Sequence, residues 1–187
     1  MKSEYLVISC SLNPESNSRK MALSAFEILN QRGGAEWLDL REYELPLCDG
    51  GSAYSHKNVE VVAQKIRDAK CILLGVPIYN FDVNAAAKNL IELTGRAWTE
   101  KVVGFLCAAG GKSSYMSVMS LGNSLMLDFR SLIIPRFVYA DGSSFDDNAV
   151  SDALVKTRIE ELVETAIGLT HQVNEQANRA NPTSKSM

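Results

Sequence analysis

Short apolar runs alternate with longer stretches of helical spacing along most of this chain. Tyr5 to Cys10, Ala35 to Leu40, Cys71 to Val76, Val102 to Ala108 and Leu132 to Val138 read as strands, each short, apolar and bounded by polar or glycine-containing turns. Between them, apolar residues recur at helical intervals over Ser18 to Arg32, Asn58 to Ala69, Ala85 to Thr94 and Ser113 to Phe129, and a last helix is predicted from about Ser151 to Thr170. The third and fourth strands are apolar almost without alternation, as strands covered on both faces are. The pattern predicts an α/β fold with a doubly wound parallel sheet of five strands and helices on both faces. Right-handed crossovers then favour the strand order 2-1-3-4-5.

From Asn174 to Met187 the residues are small and polar and continue no apolar face, so this stretch reads as a disordered tail behind one domain, residues 1–173. The chain has 187 residues, of which 46% are hydrophobic, enough for one buried core without metal or disulfide support. Its formal net charge is −3, with acids and bases intermixed, so no basic stripe for nucleic acid is present. Cys10, Cys48, Cys71 and Cys107 are far apart and form no Cys-x-x-Cys pair, and His56 and His171 lie in unrelated segments. The cysteines therefore read as plain thiols, and no metal is expected. A short strand-like run opens the chain, and no stretch has the apolar length that spans a bilayer, which predicts a cytoplasmic protein.

In doubly wound sheets the ligand lies outside the carboxyl ends of the strands. Three loops there carry chemistry. After the first strand, Ser11, Asn13, Ser16, Asn17 and Ser18 crowd uncharged hydrogen-bonding groups around a helix start, where free N–H groups and the positive dipole end favour a phosphate. The loop has neither G-x-G-x-x-G nor G-x-x-x-x-G-K-[ST], which argues against a dinucleotide Rossmann site and a P-loop. Without those glycines, Asp39 reads as a strand-end or turn residue. After the third strand, Pro77, Ile78, Tyr79, Asn80 and Phe81 offer an apolar surface and backbone donors for a flat aromatic ligand. After the fourth, Gly110 and Gly111 let the backbone approach a ligand closely, and Lys112 and Ser113 open the next helix.

Together these loops resemble the NAD(P)H-dependent FMN reductase family of flavodoxin-like proteins, over nearly the whole chain up to the tail. Ser11, Ser16 and Ser18 match that family's phosphate-loop serines, while Cys10 and Asn13 stand where glycine and arginine are usual. Pro77-Ile78-Tyr79-Asn80, followed by Lys88-Asn89, reproduces its Pro-x-Tyr-Asn turn and the Lys-Asn pair at the family spacing. Phe81-Asp82 and Asn84-Ala85 replace its small residues and Pro-Gly. The Leu38-Asp39-Leu40 to Leu45-Pro46-Leu47 stretch is also similar.

The resemblance implies bound FMN, with phosphate in the first loop and the ring between the second and third, and NADPH or NADH as electron donor. The flavin would carry the redox step, so no protein nucleophile or base is expected. Free flavin, quinones and azo compounds are the implied acceptors, and a homodimer or homotetramer the implied assembly. The apolar residues of the Ser113 to Phe129 helix, among them Tyr115, Met116, Met119, Leu121 and Leu125, exceed what one core face needs. Phe81 and Asp82 are expected to narrow the cleft and make it more acidic, favouring neutral acceptors. A flavodoxin-type electron carrier is the alternative, but the chain has neither the Thr-rich loop nor the strongly acidic surface of such carriers. A flavin-binding module without turnover, or one without flavin, completes the alternatives.

Overall fold

The computed structural model describes residues 3–180. The first strand, β1 (Tyr5–Ser9), is followed by helix α1 (Asn17–Arg32), strand β2 (Glu36–Asp39) and helix α2 (Lys57–Asp68). Strand β3 (Cys71–Tyr79) turns back into a two-residue strand β4 (Asp82–Val83) before helix α3 (Ala85–Thr94). Strand β5 (Val102–Ala109) leads through a 3₁₀ segment (Lys112–Val118) into helix α4 (Met119–Phe129). Strands β6 (Leu132–Ile133) and β7 (Val138–Asp141) then precede helix α5 (Ala153–Ala180).

The parallel ladder runs β2-β1-β3-β5-β6, with β7 also paired to β5. The predicted order is therefore observed, in seven strand segments rather than five. The fifth strand, expected to be continuous from Leu132 to Val138, is split: Leu132–Ile133 pairs with Val102–Val103, and Val138–Asp141 pairs with Leu106–Ala109. Between the halves, Pro135 has no N–H to donate and Arg136 is left-handed, with φ 61°. This lies at the open edge of the sheet, where an interruption discourages pairing with another chain.

Side chains alternate across the sheet as a two-residue period requires. Leu6, Ile8, Ile72 and Leu74 pack with α2, α3 and α4 through Ile66, Leu90 and Leu125. Tyr5, Val7, Cys71 and Leu73 pack on the other side with Met21, Ala25, Ile159 and Leu162 of α1 and α5. Gly75 is required where α1 crosses the sheet. A Cβ on Gly75 would lie 2.8 Å from both the Ala22 Cβ and the Ser18 carbonyl oxygen, so α1 rests directly on the backbone of β3.

Two helices differ from expectation. The start of the predicted Ser113 to Phe129 helix is the 3₁₀ segment, with a kink at Ser114. The last helix continues past Thr170 through 174–180, the first half of the stretch read as a tail, and Asn174 Nδ2 donates to Glu4 Oε1 (3.3 Å). The remainder of that tail, 181–187, lies outside the described residues. Among the described residues, no helix is long and apolar enough to cross a membrane.

Candidate functional site

The chain leaves β1 through side-chain-to-backbone turns. Ser11 Oγ accepts the Asn13 N–H (3.2 Å) and Asn13 Oδ1 accepts that of Glu15 (3.0 Å), which bends the loop toward α1. Ser16 caps α1: its Oγ accepts the Arg19 N–H at 3.2 Å and lies 2.9 Å from Ser18 Oγ. These serines thus serve as caps and turn formers. The first-turn N–H groups of Asn17 and Ser18 are left without an acceptor among the described residues, as a helix start leaves them.

An open cleft of about 610 Å³ lies above the carboxyl ends of β1, β3 and β5, within the size range of small-molecule sites. Of the residues singled out from sequence, Asn13, Ser16, Asn17, Ser18, Pro77, Ile78, Tyr79, Asn80 and Gly110 line it. Ser11 is buried beneath its loop, and Phe81, Gly111, Lys112 and Ser113 stand outside the lining. Lys112 extends into solvent, its Nζ 3.9 Å from Asp141 Oδ2. Glu15, Ala108, Ala109 and Gly142 also contribute. None of these four is singled out by the sequence pattern, although the place of Gly142 just after the last strand is a signal that could have found it.

Neither Gly110 nor Gly111 takes a positive φ, and a Cβ on either would meet no protein atom within 4 Å. The fold does not demand glycine there; its absence of a side chain keeps space open beside the cleft. Tyr139 steadies this loop by donating from its hydroxyl to the Gly111 carbonyl.

Two asparagines join the loops. Asn84 precedes α3 but does not cap it. Its Nδ2 donates to the Cys10 carbonyl (2.7 Å), tying the second loop to the root of the first, while its buried Oδ1 has no partner among the described residues. Asn89, half of the Lys-Asn pair, accepts the Cys48 N–H (2.8 Å) and donates to the Pro46 carbonyl (2.9 Å). It therefore fastens the Leu45-Pro46-Leu47 stretch to α3. The Lys88 side chain pairs with Glu92 at the surface (3.4 Å).

Asp39 holds more than a turn. Its fully buried carboxylate receives Arg19 Nε (2.8 Å) and an Arg41 terminal nitrogen (2.7 Å). Burial raises the Asp39 pKa, but the Arg41 and Arg19 hydrogen bonds outweigh it and hold the carboxyl below the usual range. Arg19 also lies 5.7 Å from the Trp37 ring centroid. This places the cationic side chain from the first turn of α1 on β2 rather than in the cleft.

Three cysteines are core thiols. Burial pushes Cys10 and Cys107 up, Asp39 adding to the effect at Cys10, and pushes Cys71 up to about 12. Cys48 is partly exposed, with its Sγ 3.5 Å from Tyr54 Oη. Among the described residues, no group of three or more His, Cys, Asp or Glu could hold a metal. The cleft thus offers backbone donors, hydroxyls and an apolar floor of Pro77, Ile78 and Ala108. Such a set suits a phosphorylated planar cofactor that brings its own chemistry.

The family model described as NADPH-dependent FMN reductase matches residues 4–146. A curated NAD(P)H-dependent FAD/FMN reductase of Geobacillus thermodenitrificans is 30% identical over 128 residues, covering 67% of this chain and 69% of its own. An FMN-dependent NADH:quinone oxidoreductase of Bordetella petrii is 27% identical over 195 residues, covering 84% and 94%. Among solved structures, the flavoenzyme NAD(P)H:(acceptor) oxidoreductase of Paracoccus denitrificans superimposes with a TM-score of 0.69 at 19% identity, covering 88% of this chain and 97% of its own.

Proposed function

Because the chain belongs to the NADPH-dependent FMN reductase family, we propose that it holds FMN in the cleft above β1, β3 and β5 and passes electrons from NADPH or NADH to a small flat acceptor. The observation that carries this reading is the meeting of two features in one cleft: unpaired N–H groups at the start of α1, and a floor of Pro77, Ile78 and Ala108 beside the open space at Gly110.

The N–H groups of Asn17 and Ser18, with the one hydroxyl proton that the Ser16–Ser18 pair leaves free, would hold the phosphate without a formal charge, aided by the helix dipole. Asn13 closes the rim. Pro77, Ile78 and Tyr79 would support the ring, and the backbone at Asn80 and Gly110 would offer hydrogen bonds to its polar groups. When bound, FMN would supply the redox chemistry that links nicotinamide to acceptor. The protein orients the reactants and shields one side of the ring from water. Donor and acceptor would share the one cleft and alternate in it, so initial-rate plots should be parallel. Quinones, azo compounds and free flavin are the acceptor class.

Four free thiols, three of them buried, fit a reducing compartment, and we place the enzyme in the cytoplasm. We also infer a homodimer or dimer of dimers. Leu121 and Leu125 lie in the core, whereas Tyr115, Met116 and Met119 stay exposed along the 3₁₀ segment and the start of α4. A monomer mass by light scattering at micromolar protein would refute that assembly. The activity is tested anaerobically: NADPH or NADH alone should bleach the visible absorbance of the FMN-loaded protein, and a quinone should restore it. A protein that neither quenches FMN fluorescence nor oxidises NAD(P)H in the presence of FMN and quinone would overturn the reading.

A further inference from the structure

The turn joining β3 to β4 has an unusual make-up. Ile78 pairs with Val83 and Tyr79 with Asp82, leaving Asn80 and Phe81 as a two-residue hairpin with φ values of 52° and 62°. Both central residues at positive φ define the turn that asparagine and glycine favour. A bulky phenylalanine there is strained, and Phe81 is 67% exposed, so burial of its ring does not offset the strain. Something else must hold the turn.

Besides the β3–β4 ladder, hydrogen bonds at Asp82 brace it. Its Oδ1 accepts the Val83 N–H at 2.8 Å and the Ser120 hydroxyl at 2.8 Å. Ser120 lies in the first turn of α4, beyond the third loop, and β4 packs against the 3₁₀ segment that precedes it. We propose that Asp82 and Ser120 form a latch that ties the Asn80–Phe81 turn to the start of α4, just beyond the third loop, and so fixes the mouth of the cleft for the acceptor. Asp82 is then a positioning residue, and its charge does not itself select acceptors. The carboxylate expected from sequence to make the cleft acidic is occupied by two donors.

The proposal rests on the flavin-reductase reading for its effect on acceptors, though the latch itself does not. Ser120→Ala removes the donor and leaves the charge, Asp82→Asn removes the charge and leaves an acceptor oxygen, and Asp82→Ala removes both. In the full-length FMN-loaded enzyme, Ser120→Ala and Asp82→Ala should each raise the quinone KM roughly five- to tenfold, the scale of one hydrogen bond, with kcat changed less than about twofold. Asp82→Asn should stay near wild type. The double variant should be no worse than Asp82→Ala, because coupled residues are not additive. Amide exchange across 79–84, measured without FMN, should speed up by a similar factor in Ser120→Ala and Asp82→Ala only. Equal effects of Asp82→Asn and Asp82→Ala with a silent Ser120→Ala would replace the latch by a charge. Additive effects, or unchanged exchange in Ser120→Ala, would overturn it. Should the wild type fail to bind FMN, the function reading falls while the exchange measurement still judges the latch.

Discussion

Substituting Gly75→Ala tests whether the seat of α1 on the sheet governs cofactor binding. The new Cβ would sit 2.8 Å from both the Ala22 Cβ and the Ser18 carbonyl oxygen, where ordinary contact begins at 3.4 Å. Neither neighbour can step aside by rotation, since one is a methyl fixed to a helix and the other is backbone. The first turns of α1 must therefore lift by about half an ångström, and overpacking of this kind costs roughly 1–3 kcal/mol. Ser18 belongs to the turn whose free N–H groups are assigned to the phosphate, so the same displacement should weaken FMN. Loss of one hydrogen bond to a charged group, about 1.5–3 kcal/mol, corresponds to roughly a ten- to hundredfold rise in Kd. Urea unfolding of the apoprotein and FMN fluorescence titration measure the two effects separately. Lower stability with unchanged FMN affinity would break the link between the helix seat and the phosphate; no change in either would refute the steric argument itself.

Ser16→Ala should lower FMN affinity roughly ten- to hundredfold and cost about 1 kcal/mol through loss of the α1 cap, and riboflavin should bind wild type far more weakly than FMN. Equal affinities for riboflavin and FMN, measured by titration, would remove the phosphate from this loop. Asp39→Asn should cost about 1–3 kcal/mol at neutral pH by weakening the contacts to Arg19 and Arg41. Because the folded-state pKa of Asp39 lies below its ordinary value, its stabilising share is complete above about pH 4 and fades as pH falls through the folded value. Stability-versus-pH curves of wild type and Asp39→Asn should therefore converge in acid, and parallel curves would contradict this.

Much of the architecture was legible because burial leaves a periodic trace. Cys71 to Val76 and Val102 to Cys107 are apolar without alternation because helices cover both faces, and the same runs locate the strand ends where the cleft lies. The helix start after β1 was legible from Ser16 and its neighbours, since capping is a local matter settled within four residues. Pro77 to Asn80 likewise marked the second loop by position.

What the pattern could not carry is which polar groups meet across the fold. Leu132 to Val138 reads as one strand, yet Pro135 and the left-handed Arg136 divide it at an edge where only one neighbouring strand holds it. Asn84 stands at the residue before α3, where a cap is expected, but its amide goes to Cys10, 74 positions away. Arg19 reaches Asp39 only because β1 and β2 lie side by side, and Asp82 reaches Ser120 only because β4 packs beside the segment leading into α4. Hydrophobic periodicity is a one-dimensional record of which face is dry, so the sequence by itself determined the layers and the place of the cleft. Hydrogen bonds are short and directional, and their partners are chosen by how the crossovers bring distant loops together, which only the tertiary structure decided.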